Sequence, residues 1–283
     1  LHPVAHSFPT RRSSDLGVAK MDRLYPRADS SYINKLNKKK VLYLIYNEKY
    51  ISRAELSKQS KISAPTVSRI VDGLIHEEKL VREIGEGFST GGRKPKLVEI
   101  NKNNNLVIGI DLGTTHIDGV IANLDSEIIA DMKMQTHPED GFDSIMDRTL
   151  DIVEQLKNHA KVNGKRVLGV GIAVAGLIDR KDNIIHFSPD FHWKNVDIKK
   201  SFQERCDLPL FFDNVTRVMA LGELWYGIGK KVRDFVVINI GYGIGAGIIM
   251  NKEPFYGPLG MAGEFGHMIM DKDSNVQCEC GAL

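Results

Sequence analysis

A turn rich in glycine and hydroxyl groups offers the first candidate chemistry in this chain. Asp111, Gly113, Thr114 and Thr115 follow an apolar segment, Leu106–Ile110, that is typical of a buried strand. Backbone N–H groups of such a turn can surround a nucleotide phosphate, and its carboxylate can position a metal ion. A plain β-hairpin is the alternative interpretation, because the motif by itself is only moderately specific.

Residues 51–80 carry side chains suited to reading DNA. Ser52 and Glu55 have the spacing of a capping box, while Ser63 and Pro65 suit the start of a second helix. Small hydroxyls and an arginine at the front of an exposed helix fit a major groove, and an ordinary helical hairpin is the alternative. The candidate DNA contacts are Pro65, Thr66, Ser68 and Arg69. The opposite face is predicted to be buried through Val67, Ile70, Val71, Leu74 and Ile75.

A basic segment follows this pair of helices. Leu80–Ile84 and Lys96–Ile100 are predicted strands, and the residues between them are rich in glycine and include Arg93 and Lys94. These two side chains could enter a minor groove or contact phosphates, which predicts a winged helix-turn-helix. An ordinary flexible loop is the alternative.

The three cysteines are not expected to form a framework of disulfide bonds. Cys278 and Cys280 are separated by one residue, and Cys206 stands apart. An odd number with a close pair favours a reducing compartment and a metal site. Cys206 is interpreted as a small buried hydrophobic residue.

The charge is distributed unevenly along the chain. Residues 21–100 contain 16 basic and 10 acidic side chains, a net +6, whereas residues 101–283 contain 19 and 25, a net −6. A basic head on an acidic body fits a DNA-binding domain joined to a domain that does not contact nucleic acid. No apolar segment is long enough to span a membrane and no secretory signal is recognised, so a cytoplasmic location is predicted.

The length of 283 residues predicts about two domains. Residues 1–20 are interpreted as a non-native segment that resembles translated sequencing adapter, with a genuine disordered basic arm as the alternative. Residues 21–100 are assigned to the DNA-binding domain. The polar segment Asn101–Asn105 marks a boundary. Residues 106–283 are predicted to form an α/β domain with three initial antiparallel strands, alternating helices and strands, and a second glycine-rich turn at Gly241–Gly247.

Four motifs together resemble the ROK family of repressors, open reading frames and kinases, in its xylose-repressor-like branch. They are the segment ending in GGRKPKLVEIN, the turn DLGTT, the glycine segment IGYGIGAGI, and AGEFGH followed by CECG. The resemblance implies an actin-like, ribonuclease-H-like body of two lobes around a cleft for sugar and ATP, with the second lobe incomplete. The nucleotide-binding positions it implies, which could be vestigial, are Asp111, Gly113, Thr114, Thr115, Gly241, Gly243 and Gly245.

The resemblance also implies where the sugar binds. In the family an Asn-Asp pair precedes a helix, and the Asp acts as general base; here the pair reads Asn214-Val215. Valine cannot accept a proton, so no catalytic residue is assigned. A register shift that brings Asp213 into the base position is the alternative. Glu264 and His267 are implied as further sugar contacts, and Asp190 is a weaker candidate.

The resemblance further implies a structural zinc ion held by His267, Cys278 and Cys280. The fourth cysteine of the family pattern would fall just past Leu283, so the site is expected to be incomplete and the body truncated. ATP is a possible ligand that a sensor does not require. Together these features predict a sugar-responsive repressor, acting on operator DNA as a homodimer or higher oligomer. An active ROK sugar kinase with a DNA-binding appendage is the alternative.

Overall fold

The computed structural model describes residues 30–86, 94–179, 184–241, 243–257, 260–271, 277–278 and 280–281. These residues fall into two compact units, the first ending at Ile100 and the second beginning at Asn101. In the part of the chain that is described, no helix combines the length and the apolar composition needed to cross a bilayer.

The first unit contains three helices and a small antiparallel sheet. Its elements are α1 (Ser30–Glu48), β1 (Ile51–Ser52), α2 (Arg53–Ser60), α3 (Ala64–Asp72), a π-helical turn (Gly73–Glu77), β2 (Val81–Glu86) and β3 (Lys96–Ile100). The strand order is β1-β3-β2. The core combines residues of all three helices with residues of the sheet, so the sheet and helices form one body.

The predicted side-chain cap at the start of α2 is confirmed, whereas the one at the start of α3 is not. The Ser52 hydroxyl accepts the Glu55 backbone N–H at 3.1 Å, which confirms the predicted cap of α2. The expectation that the Ser63 hydroxyl caps α3 is wrong, because this hydroxyl lies 2.8 Å from the Thr66 hydroxyl and makes no cap hydrogen bond. Val67 and Val71 on the predicted apolar face of α3 are fully buried, as is Leu74 in the π-helical turn that follows. Ile70 and Ile75 are partly buried.

The second unit is built on a five-stranded sheet with the order β11-β7-β4-β5-β6. Its first half contains β4 (Asn105–Leu112), β5 (His116–Asn123), β6 (Ile128–Gln135), a 3₁₀ turn (Pro138–Asp140), α4 (Gly141–Val162) and β7 (Arg166–Val174). The predicted antiparallel meander of β4, β5 and β6 is confirmed. Apolar residues of α4 pack on this sheet and form the largest core of the molecule.

Beyond β7 the chain forms two smaller sheets and returns once to the large one. The elements are β8 (Leu177–Asp179), β9 (Ile184–Ser188), β10 (Trp193–Val196), α5 (Ile198–Gln203), β11 (Leu210–Asn214), α6 (Val215–Trp225), a 3₁₀ turn (Ile228–Lys231), β12 (Phe235–Ile240), β13 (Ile244–Met250), β14 (Glu253–Pro254) and a 3₁₀ turn (Phe265–His267). The small sheets have the orders β10-β9-β8 and β12-β13-β14. The first of them was not predicted.

One boundary prediction is corrected. The sequence suggests that Gly241–Gly247 is a turn followed by a strand at Ile248, but β13 already begins at Ile244. Gly245 and Gly247 therefore belong to the strand. They are needed there because α6 lies so close that a side chain at either position would meet Thr216.

The parallel strands of the large sheet place several candidate residues at one edge. β7 pairs in parallel with β4 on one side and with β11 on the other. Asp111 and Asp213 both have Ala173 as their register partner, so they lie at the same level two strands apart. The carboxyl ends of parallel strands in open α/β sheets are where ligands bind.

Candidate functional site

Helix α3 presents the candidate DNA contacts of the first unit. Pro65 and Arg69 are exposed, and Thr66 and Ser68 are half-buried. The Arg69 guanidinium donates to the Asn34 side-chain oxygen at 3.1 Å, which ties this face of α3 to α1. The four side chains thus share the front of one short helix, as predicted, with Arg69 already held in one orientation.

Arg53 joins α3 to the sheet of the first unit. Its guanidinium lies 2.7 Å from an Asp72 carboxylate oxygen and 3.3 Å from Glu83 on β2. Glu83 also pairs with Lys96 on β3 at 2.7 Å. The hydrogen bond from Lys96 is the largest cause of a lowered Glu83 pKa, and the charge of Arg53 contributes as well. Sequence reasoning missed Arg53, because its partners are 19 and 30 positions away.

The segment between β2 and β3 is described only at its end. Lys94 is exposed, and its ammonium lies 4.0 Å from a carboxylate oxygen of Glu86. Arg93, the other predicted contact of this segment, lies outside the described residues. A surface ion pair of this length holds Lys94 only weakly, so its charge remains available to another partner.

The turn after β4 is partly closed by its own hydrogen bonds. The Gly113 N–H donates to the His116 carbonyl at 3.0 Å, and the Thr136 hydroxyl donates to the Gly113 carbonyl at 2.6 Å. Thr114 is half-buried and Thr115 is exposed. In this arrangement the Gly113 amide is engaged within the turn and does not face a phosphate.

Asp111 is the acidic group of this turn. Desolvation by the neighbouring strands raises its pKa, the charge of Asp118 directly across on β5 raises it further, and Lys133 opposes the shift. The side chain keeps an exposed edge, so desolvation is partial. A carboxyl group with a raised pKa and an open edge can receive a cation or a hydroxyl group.

The glycines of the second glycine-rich segment have two separate roles. A Cβ at Gly241 or Gly243 would meet no atom within 4 Å, so these two positions border open space. A Cβ at Gly247 would overlap the Thr216 carbonyl and lie 2.6 Å from the Ala220 Cβ. Gly245 and Gly247 are thus explained by packing against α6, whereas Gly241 and Gly243 leave room for a ligand.

Asn214 connects three structural elements at the end of β11. It is the N-cap residue of α6, and its side-chain oxygen accepts the Thr216 N–H at 2.9 Å and the Thr216 hydroxyl at 2.7 Å. Its amide nitrogen donates to the Gly176 carbonyl at 3.0 Å. These bonds use most of its hydrogen-bonding capacity, so one amide hydrogen is left for a ligand.

Asp213, the residue before Asn214, is buried and fully engaged. One carboxylate oxygen accepts the Asn214 N–H and the Arg217 Nε–H, each at 2.8 Å. The other oxygen accepts the Tyr256 hydroxyl at 3.2 Å. The Arg217 guanidinium donates to the Gly260 carbonyl at 3.0 Å and lies 5.4 Å from the centre of the Tyr256 ring.

The segment from Gly260 to His267, which carries Glu264, lies against strand β13. A Cβ on Gly263 would overlap the Ala246 carbonyl, and the Ala246 N–H donates to the Gly263 carbonyl at 2.9 Å. Because β13 in turn packs on Thr216 of α6, the Gly260–His267 segment and α6 lie against the same strand. Glu264 is half-buried, with a carboxylate oxygen 3.8 Å from His267 Nε2.

Asp190 lies in the exposed turn between β9 and β10. The Ser188 hydroxyl donates to the Ala175 carbonyl at 2.8 Å, which holds this turn against the end of β7. Phe191 stacks on Trp193 with ring centroids 4.5 Å apart, so the turn is anchored in the core. The Asp190 turn and Asn214 are thus both attached next to the end of β7, through Ala175 and Gly176.

His267, Cys278 and Cys280 form a compact set of possible metal ligands. Their ligand atoms all lie within 4.8 Å of one another, with His267 Nδ1 3.7 Å from the Cys278 sulfur. Ligands of one tetrahedral zinc ion lie roughly 3.5–4 Å apart, so the set fits zinc after a small contraction. Cys206 is buried, as predicted, and is not part of this set.

Comparison with known proteins gives consistent matches. The ROK family matches residues 107–283. The xylose repressor of Caldicellulosiruptor bescii is 35% identical over 251 residues, which cover 89% of this chain and 62% of that protein. A solved ROK family transcriptional regulator, a homologue of the Escherichia coli MLC protein, has a TM-score of 0.76 and 28% identity over 88% of this chain and 62% of that chain.

Kinases of the family also match, over a shorter region. The ROK glucokinase from Streptomyces griseus, solved with glucose and AMPPNP, has a TM-score of 0.57 and 31% identity over 62% of this chain and 54% of that chain. The present chain spans about 62% of the length of the C. bescii repressor. Since the family match extends over more than half of its residues, this chain belongs to the ROK family.

Proposed function

We propose that this chain is part of a sugar-responsive transcriptional regulator, a repressor of carbohydrate catabolism genes. The observation that carries the proposal is the attachment of the first unit, with its exposed α3, to a ROK domain. The similarity to a ROK transcriptional regulator extends over 88% of this chain, whereas the similarity to the glucokinase covers 62%. A DNA-binding region in addition to the ROK domain would account for this larger share.

The first unit is proposed to bind operator DNA as a winged helix-turn-helix. Helices α2 and α3 form the helical pair, and β2 and β3 form the wing. Pro65, Thr66 and Ser68 would approach the major groove together with Arg69. Lys94, and Arg93 beside it, would contact the backbone or the minor groove. The net charge of +6 on residues 21–100 favours such contacts.

The second unit is proposed to bind the effector sugar at the edge where β4, β7 and β11 end. Asn214, Glu264 and His267 offer amide, carboxylate and imidazole groups suited to sugar hydroxyls, and Asp190 extends the same edge. Because the relatives include xylose repressors, xylose is the first sugar to test. The proposal requires the sugar to bind the two conformations of the regulator with different affinities.

The ROK domain is proposed to sense sugar without phosphorylating it. Val215, at the position of the general base, is the first residue of α6 and has no group that accepts a proton. Asp213 is poorly placed to replace it, because its oxygens already accept hydrogen bonds from Arg217 and Tyr256. Loss of a general base lowers a rate typically by about 10²–10⁴.

Zinc is proposed as a structural ion of this domain, whereas ATP is only an optional ligand. Zinc would be held by His267, Cys278 and Cys280, with one tetrahedral position left for water or a further ligand, and would fix the fold around Glu264. ATP could lie near Asp111 and the open glycines Gly241 and Gly243, but sensing does not need it. The regulator is proposed to act in the cytoplasm as a homodimer or higher oligomer on a palindromic operator.

DNA binding is tested with the complete protein and DNA that it selects from a random pool. Arg69→Ala is expected to weaken binding by about 1–3 kcal/mol, because a base or phosphate contact is lost. Lys58→Ala is the matched control, because it also removes one positive charge, on the exposed side of α2, and it should have a small effect on DNA binding. Equal effects of both changes would contradict the assignment of α3 to the groove.

The kinase alternative is tested by ADP release with ATP and D-xylose, D-glucose or other hexoses. With the proposed sensor, ADP should form no faster than in a control without protein. D-xylose or another sugar should lower the affinity of the protein for the selected DNA. Rapid sugar-dependent ADP release by the wild type would overturn the non-enzymatic assignment and favour a kinase with a DNA-binding appendage.

A further inference from the structure

We propose that Arg217 is a positioning residue that fixes the Gly260–His267 segment, and with it Glu264, at the ligand edge of the second unit. The contact that suggests this role is the hydrogen bond from its guanidinium to the Gly260 carbonyl. This proposal rests on the proposed function for the identity of the ligand. The role of Arg217 in ordering the segment can be tested without any ligand.

The positive charge of a buried arginine has to be compensated, and two neighbouring residues of Arg217 do this. Only 2% of the Arg217 side chain is exposed. Asp213, at the end of β11, neutralises its charge, and the Tyr256 ring covers the guanidinium. Breaking a buried pair by removing one partner leaves an uncompensated charge, so the pair holds its neighbours strongly.

Among the described residues, the Gly260–His267 segment is held by backbone hydrogen bonds, such as the one that the Ala262 N–H donates to the Tyr256 carbonyl at 3.1 Å, more than by apolar packing. Met261 and Phe265, its large side chains, are both exposed, so the segment contributes little to the apolar core. Gly260 and Gly263 have φ values of +72° and +97°, which other residues adopt only with strain. The Arg217 hydrogen bond therefore fastens the start of the segment, and the Gly263–Ala246 pairing fastens its middle.

The position of Arg217 connects the two sides of the ligand edge. Arg217 lies on the first turn of α6, three residues after Asn214, which caps the same helix. A displacement of Asn214 or Asp213 by a ligand would thus be transmitted to Gly260 and on to Glu264. The cluster of Asp213, Arg217 and Tyr256 makes the two sides of the site move together.

Hydrogen–deuterium exchange of the complete, ligand-free protein tests the positioning role. Arg217→Met is expected to accelerate exchange of the Ala262 and His267 amides by about tenfold or more, because a buried hydrogen-bonded charge is lost. Arg217→Lys should recover part of the protection by restoring the charge. Tyr256→Phe, which keeps the ring and loses one hydrogen bond, should give a smaller increase at the same amides.

Arg233→Met is the matched control, since it makes the same side-chain change at an exposed arginine of the same unit. It should leave the exchange rates of the Ala262 and His267 amides within twofold of the wild type. The exchange rates of the amides in strand β4 should stay within twofold of the wild type in every variant. Exchange within twofold of the wild type in both Arg217→Met and Tyr256→Phe would overturn the proposal. If Arg217→Met fails to fold, Tyr256→Phe and Arg217→Lys decide.

Titration calorimetry with D-xylose and D-glucose supplies the functional readout. Affinity for the sugar that the wild type binds should fall about tenfold or more in Arg217→Met and be partly recovered in Arg217→Lys. An unchanged affinity would contradict the link from Arg217 to Glu264. If the wild type binds neither sugar, D-xylose and D-glucose are excluded as effectors, while the exchange data still decide whether Arg217 orders the segment.

Discussion

Arg53 and Glu83 are single residues that hold a helix against a sheet. Arg53 begins α2 and is paired with Asp72 at the end of α3 and with Glu83 on β2, while Glu83 is shared with Lys96. A shared carboxylate of this kind fixes the angle between the proposed recognition helix and the wing. The orientation of the proposed DNA contacts on α3 is therefore expected to depend on Glu83, which is not one of them.

The lowered pKa of Glu83 makes a prediction about pH. A group whose pKa is lower in the folded state stabilises that state above its unfolded pKa, near 4.3, and this stabilisation is lost as pH falls through the folded value. Glu83→Gln should therefore reduce the free energy of unfolding at pH 7 by at most about 1 kcal/mol, because the pairs are partly exposed. Urea denaturation from pH 7 to pH 3 should show this difference shrinking below about pH 4.

Glu86→Gln provides the control for this measurement. Glu86 lies on the same strand and pairs with Lys94 at the longer distance of 4.0 Å. Its neutralisation should change the stability less at pH 7. If the two variants differ from the wild type by the same amount at every pH, the shared pairing of Glu83 does not stabilise the first unit.

At the scale of elements, the contact between α6 and β13 organises the ligand edge. Gly245 and Gly247 allow the strand to lie directly against Thr216, and Asn214 fixes the first turn of the helix. The same helix carries Val215 and Arg217. Its placement thus sets which of these side chains are buried, as Arg217 is, and which face the proposed sugar-binding edge.

Gly247→Ala tests how closely α6 and β13 pack. The added methyl group would overlap the Thr216 carbonyl and meet the Ala220 Cβ, so the helix has to shift, at a cost of about 1–3 kcal/mol. The measurement is urea unfolding followed by the fluorescence of Trp225, which ends α6. Gly171→Ala, where a Cβ meets no atom within 4 Å, should change stability by about 0.5 kcal/mol or less. Equal losses in both variants would contradict the close packing.

At the scale of the whole molecule, the two parts of the chain, residues 21–100 and 101–283, carry opposite net charge, and we propose separate functions for them. The head is basic, as DNA binding requires, while the acidic body would be repelled by the same DNA. In the body, the ligand edge and the proposed zinc site share the segment that contains Glu264 and His267. Metal and sugar binding are therefore expected to be coupled through this segment.

Zinc content tests this organisation in the complete protein. Cys278→Ser and Cys280→Ser should each lower bound zinc strongly, because a thiolate ligand is lost from a set of three described ligands. Cys206→Ser, at a buried cysteine apart from that set, should retain it. Atomic emission measures zinc, and cobalt substitution should give thiolate charge-transfer absorbance. Unchanged metal content in both ligand variants would exclude the proposed site.

Much of the fold could be predicted from local patterns. The cap at Ser52, the apolar face of α3 and the meander from β4 to β6 depend on short-range spacing, and the structure confirms them. Candidate site residues were predicted mainly from a family resemblance, and their roles stay predictions. The sheet formed by β8, β9 and β10 was missed, because its strands are short and interrupted by polar residues.

The sequence by itself determined the types of groups available: a basic N-terminal part, a hydroxyl-rich turn, a Cys-x-Cys pair and a valine at the position where the family resemblance implies a base. Only the tertiary structure decided which groups meet. Asp213 is bound to Arg217 and Tyr256, and Gly245 and Gly247 allow β13 to pack against α6. The physical reason is that these contacts join segments up to 43 positions apart, and their energies depend on burial and distance, which local spacing does not encode.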